Sequence, residues 1–249
     1  MFILYDGLIG RFTGTTHDLL FLAFTVITII AAYLLGSINS AIIVSKTLYH
    51  DDVRKHGSGN PGLTNMLRTF GKGAAGLTLL GDIMKTVLAI FISAIFFGLN
   101  YVGAVSTGDG MCYIAGLFAV IGHISPIYYR FKGGKGVLTT AVSALVLCPP
   151  VFGILFLLFV AIVAISKYVS LGSVTGAILY PVILHGYFNI VFGAGTTPGL
   201  AALASIIIAI LIVWCHRGNL QRISDRTERK LSFKKKPEVS AEQDDDSEK

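Results

Sequence analysis

The chain has 249 residues, of which 53% are hydrophobic and only 14% charged, with a mean hydropathy of +0.72 and a formal charge of +6. Soluble domains carry about 25% charged residues, so this composition excludes a soluble globule and directs the chain to lipid. Residues 1–224 hold 13 Lys/Arg against 6 Asp/Glu and residues 225–249 hold 7 against 8, so the positive excess belongs to the apolar part and calls for no nucleic-acid partner.

Residues 1–18 read as an extracytoplasmic extension. No basic segment opens the chain, and the first apolar run continues far past the length of a signal peptide, so that run reads as a span and not as a cleaved leader. Apolar stretches lie at 19–45, 74–99, 111–129, 137–148, 151–166, 171–193 and 199–215. Their connections alternate in basic charge. The first loop carries Lys46, Arg54, Lys55, Arg68 and Lys72 and the next carries none. Arg130, Lys132 and Lys135 follow, then a bare Cys148-Pro149-Pro150 corner, then Lys167, then the bare stretch 193–199, then Arg217 and the basic tail. Arg11 falls on the opposite side and Lys85 inside a span. By the positive-inside rule this predicts an all-α integral membrane protein with seven transmembrane helices, the N-terminus outside and the C-terminus cytoplasmic. The membrane domain is then 19–224, followed by a charged cytoplasmic tail, 225–249, disordered at its end. The tightest part is 137–170, 34 residues for two crossings that need about 20 each, which predicts a short hairpin turning at the helix-stopping Pro149-Pro150. Cys112, Cys148 and Cys215 lie singly in apolar runs, so neither a disulfide framework nor a thiolate metal site follows from them.

Polar residues that interrupt membrane helices are costly and mark function. Five such elements lie at the ends assigned to the cytoplasm. Gly36-Ser37-Ile38-Asn39-Ser40 comes first. A small-residue packing face explains its glycine and serines but not Asn39. Next, His56 to Arg68 contains Gly57, Gly59 and Gly62 in a G-x-G-x-x-G spacing, without the strand and βαβ unit that dinucleotide binding needs. What remains is anion chemistry: glycines let backbone N–H groups converge, and Ser58, Asn60, Thr64, Asn65 and Arg68 add donors. Gly122-His123 to Gly136 repeats the pattern, with Lys132 and Lys135 around Gly133-Gly134; the same basic residues also serve as topology signal. Ser170-Leu171-Gly172 and His216-Arg217-Gly218-Asn219 complete the set. Two anion-friendly loops on one side suggest more than one phosphate-like group. Asp82 and Lys85, three apart on one helical face, read as a structural pair.

The stretches GSINSAIIVSK, HGSGNPGLTNMLR with GKGAAGLTLLGDIMK, GHISPIYYRFKGGKGVLT, YVSLGS and HRGNLQRI resemble, in order and from about 30 to 225, the motifs of the bacterial acyl-phosphate:glycerol-3-phosphate acyltransferases, the PlsY family. Asn39 stands where many members have proline. The resemblance implies a seven-helix enzyme of the bacterial plasma membrane whose site faces the cytoplasm. It would move a fatty acyl group from acyl phosphate to the 1-hydroxyl of glycerol 3-phosphate, giving lysophosphatidic acid and phosphate, the first acylation step of phospholipid synthesis. It further implies Ser37 as a contact to acyl phosphate, and Gly57, Ser58, Gly59, Asn60, Gly62, Thr64, Asn65 and Arg68 as a phosphate cradle. Lys132 and Lys135, with Gly133 and Gly134, would neutralise phosphate, and Ser170, Gly172, His216 and Asn219 would complete the pocket. No metal or other cofactor is implied; the partners are the two substrates, membrane lipid and the enzyme that supplies acyl phosphate. The residues agree with such chemistry. Both substrates carry phosphate, and one carries an alkyl chain. The His and Asp dyad, five residues apart, of the other large class of glycerol-phosphate acyltransferases is absent, because Leu22, Lys55, Pro61, Tyr128, Ile190 and Gln221 occupy the positions after the six histidines. The substrate's own phosphate, with a second pKa near about 6, then serves as proton acceptor. Two rival readings fit less well. An anion transporter would place its sites mid-membrane between repeated halves, and a metal-dependent phospho-alcohol transferase would need more carboxylates than Asp51-Asp52.

Overall fold

A computed structural model describes residues 7–8, 14–99 and 107–231. Most of the 1–18 extension, and residues 232–249 at the end of the tail, lie outside the described residues. The described chain is helical throughout, with no strand: α1 (Gly14–Ser37), α2 (Ser40–Leu48), α3 (Leu63–Thr69), α4 (Gly71–Phe97), α5 (Thr107–Ile124), α6 (Val137–Leu147), α7 (Pro149–Ser166), α8 (Val169–Phe192), α9 (Gly199–Cys215) and α10 (Arg217–Ser224).

All seven apolar stretches are therefore helices, but they are unequal. His17–Leu48, Gly71–Phe97, Gly110–Tyr129, Pro149–Ser166 and Val169–Phe192 are each long and apolar enough to cross a membrane, and Gly199–Cys215 becomes a sixth when joined to Arg217–Ser224 across a bend of 52°. The 11 residues of α6 rise about 16 Å at 1.5 Å per residue, against a hydrocarbon core of about 30 Å. Proline explains the early stop. A residue before proline is driven out of the helical region, and Cys148 sits at φ −151°, ψ 80° while Pro149 and Pro150 open α7. The protein is thus an all-helical, multi-pass membrane protein with five or six full-length candidate spans.

The other breaks have local causes too. Between α1 and α2 the chain extends at Asn39, whose Oδ1 accepts the Ile42 N–H (3.0 Å) as the N-cap of α2 and whose Nδ2 donates to the Pro61 carbonyl (3.3 Å). The signal that a packing face left unexplained is thus a cap that also ties the first break to the glycine loop.

The core centres on α5, which packs on α1, α4, α6 and α9. Its inward face gives Cys112, Tyr113, Leu117 and Val120, met by Ile90, Leu147, Tyr180, Leu184, Ile208 and Ile212. Outward-facing Leu22, Leu80, Leu157, Ile165, Ile190 and Trp214 are exposed, as side chains bathed in acyl chains can be. The α1–α5 crossing is backbone on backbone: a Cβ at Gly36 would lie 2.3 Å from the Ala119 carbonyl oxygen, and one at Gly122 would lie 2.3 Å from that of Tyr33. Membrane helices lack a hydrophobic drive to associate and gain from such close approach. Gly122→Ala is expected to destabilise the detergent-solubilised protein by about 1–3 kcal/mol through backbone overpacking. Gly153→Ala, where a Cβ meets nothing within 4 Å, is expected not to. Thermal unfolding of the two variants side by side checks the contrast.

Candidate active site

The site is assembled on a buried ion pair. In α4, Lys85 Nζ lies 2.8 Å from Asp82 Oδ1 with both side chains almost fully enclosed. The same ammonium donates to the Ile38 carbonyl freed by the α1–α2 break (2.7 Å) and stands 2.9 Å from His123 Nδ1 in α5. Ser40 Oγ donates to Asp82 Oδ1 (3.0 Å). An ammonium has three donors, and all three are used, as a buried charge requires.

The loop between α2 and α3 is held mainly by itself. Asp52 caps the short turn Val53–Lys55 and pairs with Arg54 (2.6 Å); hydrogen bonds from the Arg54 guanidinium hold the Asp52 carboxyl down at about 2. Asn65, buried in α3, accepts the Ser58 N–H on Oδ1 (3.0 Å) and donates from Nδ2 to the carbonyls of Val53 (3.2 Å) and His56 (3.0 Å). Gly57 has φ +57°, and a Cβ there would stand 2.2 Å from Asn65 Oδ1, so only glycine fits. The N–H groups of Gly59 and Gly62 donate to His56 O (2.9 Å) and Asn60 O (3.0 Å), and that of Asn60 to Ser58 Oγ (3.4 Å). Asn65 therefore shapes the loop from within, and most of the loop's backbone donors are turned on the loop itself.

Asn60 reaches a cavity of about 480 Å³ that also takes in Lys132, Gly133, Gly134 and Lys135 from the loop before α6, Leu211, Trp214 and Cys215 from the end of α9, and Arg217 from the start of α10. Its lining is divided between these polar groups and apolar Ile124, Phe131, Leu211 and Trp214. Arg217 lies over the Trp214 ring at 4.7 Å.

Beside this cavity, Lys135 Nζ donates to Asn219 Oδ1, and Asn219 Nδ2 donates to Glu228 Oε1 (2.7 Å). Ser170 Oγ donates to the same oxygen (2.8 Å), and Arg222 Nε to Glu228 Oε2 (2.8 Å). Burial pulls the Lys135 ammonium down to about 8, against the opposing charge of Glu228; Arg222 and Arg68 also act to lower it. Burial pushes the Glu228 carboxyl up, but the hydrogen bonds from Asn219, Ser170 and Arg222 outweigh it and leave it below its ordinary value. His216, almost fully buried at the α9–α10 corner, places Nδ1 2.8 Å from the Ile212 carbonyl; a carbonyl only accepts, so Nδ1 carries the proton and Nε2 of the neutral ring is an acceptor.

The residues singled out in the sequence thus fall into groups. Asn60, Lys132, Gly133, Gly134 and Lys135 line one cavity, and Ser170 and Asn219 join Lys135 through Glu228. Gly57, Ser58, Gly59, Gly62 and Asn65 form the self-bonded loop, with Thr64 in the first turn of α3 and Arg68 in its last. Ser37 is fully buried, its hydroxyl donating to the Tyr33 carbonyl (2.8 Å) and accepting the Ile127 N–H (3.4 Å). Gly172 faces α7, where a Cβ would lie 2.9 Å from Phe159 and Val163. Sequence reasoning missed Glu228, which composition grouped with the tail. Its position nine residues after Asn219 carries no periodic signal; residues 225–231 fold back, with the Leu231 N–H on the Lys167 carbonyl (2.8 Å), and only that return brings the carboxylate in.

Because this one carboxylate gathers three donors, Glu228→Gln is expected to lower stability by about 1–3 kcal/mol, the cost of weakening charge-assisted hydrogen bonds. Thermal unfolding in detergent measures it, and an unchanged midpoint would show that the tail's return is incidental.

Comparison with known proteins agrees with this architecture. The profile of the glycerol-3-phosphate acyltransferase family matches residues 26–226. The chain is 41% identical over 207 residues to a glycerol-3-phosphate acyltransferase of Syntrophomonas wolfei, covering 83% of this chain and 96% of that one. It is 40% identical over 210 residues to one of Clostridioides difficile, covering 84% and 97%. Among solved structures it resembles the crystal structure of PlsY, an integral membrane glycerol 3-phosphate acyltransferase, in its glycerol 3-phosphate form, with TM-score 0.71 and 32% identity over 84% of this chain and 96% of that one. The lysophosphatidic acid form of PlsY matches with TM-score 0.69 and 30% identity over 84% and 95%. With the family's profile running through all five polar elements and both loops of the cavity, the chain belongs to the glycerol-3-phosphate acyltransferase family, that of PlsY.

Proposed function

We propose that this protein transfers a fatty acyl group from acyl phosphate to the 1-hydroxyl of glycerol 3-phosphate, releasing lysophosphatidic acid and phosphate, as the first acylation of phospholipid synthesis. The observation that carries it is the divided cavity: cationic Lys132, Lys135 and Arg217 beside apolar Ile124, Leu211 and Trp214 suit two phosphates and one alkyl chain. In this reading the chain crosses the membrane seven times, with the short α6 completing one crossing. Residues 1–18 lie outside, the membrane domain is 19–224, and the site and the tail 225–249 face the cytoplasm, where a separate enzyme would supply acyl phosphate.

The 1-hydroxyl oxygen attacks the acyl carbon, the bond from that carbon to the phosphate oxygen breaks, and phosphate leaves with the electron pair. A mixed anhydride with phosphate is well activated, so a weak base suffices. The glycerol 3-phosphate dianion takes the hydroxyl proton, which ends on the released phosphate. Lys132 and Lys135 neutralise phosphate charge as it develops, and donors fixed in advance around that charge give most of the acceleration. Asn60 and Arg68 hold phosphate from the first loop, on the frame that Gly57, Ser58, Gly59, Gly62, Thr64 and Asn65 build. Ser170, His216 and Asn219 close the opposite wall with Gly172 behind them, and Ser37 contributes by fixing Ile127 at the edge of the second loop.

Purified protein supplied with palmitoyl phosphate and glycerol 3-phosphate is expected to form lysophosphatidic acid and one equivalent of phosphate, and palmitoyl-CoA is expected not to substitute. Vesicles that take up phosphate without forming product would instead establish a transporter.

The pH profile carries a further expectation. Lys135 must be protonated to hold phosphate and its ordinary value of 10.5 is brought down to about 8, so charge is lost as pH rises through about 8. There kcat/KM for glycerol 3-phosphate is expected to fall about tenfold per pH unit, and not to fall in Lys135→Arg, whose guanidinium stays charged. At the acid end, loss of the substrate dianion below about pH 6 gives a second limb. That limb is expected to survive in His216→Ala; its disappearance would make His216 the base.

A further inference from the structure

His123 stands outside every group assigned to the substrates above, and it does not line the cavity. It is nonetheless 4% exposed and makes two connections at once. On one side, Nδ1 lies 2.9 Å from Lys85 Nζ. An ammonium only donates, so Nδ1 accepts and the ring proton sits on Nε2. Because the remaining Lys85 donors are held by Asp82 (2.8 Å) and the Ile38 carbonyl (2.7 Å), the ring is oriented by a fixed cation. On the other side, the ring lies directly under the Gly133-Gly134 turn. A Cβ on Gly134 would stand 2.2 Å from His123 Nε2, and one on Gly133 would stand 2.1 Å from the His123 carbonyl oxygen. That carbonyl accepts the Gly134 N–H (3.0 Å), and the Ile124 carbonyl accepts the Gly133 N–H (3.1 Å). The turn therefore rests on the Nε2 edge of the imidazole and the last turn of α5, and it can do so only because both residues lack side chains. Lys132 and Lys135 leave this turn in the two directions along the chain and enter the cavity.

From this geometry we infer that His123 is a positioning residue for the acyl transfer. Held by Lys85, its ring sets the height of the Gly133-Gly134 turn and, through it, the separation of Lys132 and Lys135 around phosphate. The inference rests on the activity proposed above. Displacements of about 1 Å at groups that orient a substrate can cost about a hundredfold in rate, so a seat for the turn acts on catalysis without touching substrate.

A double-mutant cycle separates this role from simple packing. His123→Asn keeps an acceptor for Lys85 but removes the ring under the turn. Gly134→Ala adds the methyl group that the ring excludes, and Gly134 has no positive φ, so alanine there is opposed by the ring and not by its own backbone. Each single variant is expected to lower kcat about tenfold with KM for glycerol 3-phosphate within about threefold, because the displaced lysines act on charge that develops in the transition state. The double variant is expected to show about tenfold in all, because the space left by the ring accommodates the methyl group. Two results overturn the inference: a double variant whose kcat falls by the product, about a hundredfold, or a His123→Asn variant with wild-type kcat and only a lowered unfolding temperature. If His123→Asn is not recovered folded, His123→Gln completes the same cycle. Wild-type protein assayed in parallel distinguishes the failures. An active wild type with an uncoupled cycle refutes the inference alone, and a wild type that forms no lysophosphatidic acid refutes the proposed activity and the inference with it.

Discussion

Two charges enclosed inside a lipid-embedded bundle must satisfy each other or the fold is lost, and the Asp82–Lys85 pair meets that demand by recruiting neighbours. Removing one partner of such a pair typically costs about 3–5 kcal/mol, because the other charge is left uncompensated. Here the completion of the pair is also the organisation of the site. The ammonium takes the carbonyl that the α1–α2 break exposes at Ile38, the carboxylate takes the Ser40 hydroxyl, and His123 completes the third contact while lying under the Gly133-Gly134 turn. Three chain segments far apart in sequence are thereby fixed at one end of the bundle.

Around that anchor, two glycine-bearing loops do different work. The loop at 56–62 spends its backbone donors internally, with Asn65 filling its interior, so it presents a rigid frame whose outward donors are side chains such as Asn60. The loop before α6 has no such inner residue. It rests on α5 instead, and its glycines serve close approach to the His123 ring and carbonyl. Both loops lack side chains where they turn, but for one the neighbour is its own following helix and for the other it is the helix before it.

The opposite wall comes from the chain's return. Asn219, Ser170 and Arg222 meet on a single carboxylate, Glu228, and Lys135 joins it through Asn219; the carboxylate balances part of the positive charge around the cavity while its own ionisation is secured by three donors. Of the apolar members of the cavity, Leu211 and Trp214 come from α9, where Trp214 is itself exposed. A pocket that sets cationic side chains beside apolar ones is the arrangement on which the proposed pair of substrates rests.

Much of this was legible in the residues. Hydropathy located all seven helical stretches, since each must be apolar along its length to lie in lipid, and the prolines after Cys148 marked a break because proline constrains its own neighbour. The five polar elements were visible because polar groups in apolar runs need a reason. The short α6 was legible as well, from the apolar stretch 137–148 and its proline stop. Long-range partners were not legible: Asn39 as a cap bonded to Pro61, the Ile127 N–H on the Ser37 hydroxyl, the turn of Gly133-Gly134 on His123, and the return of Glu228. The sequence by itself determined a membrane-embedded helical protein of this family, with its polar motifs at helix ends, because local propensity and hydropathy act over a few residues at a time. Tertiary structure alone decided which donors face the cavity and which are spent on the fold, because a hydrogen bond is made to whichever group the packing of distant helices brings within 3 Å or so.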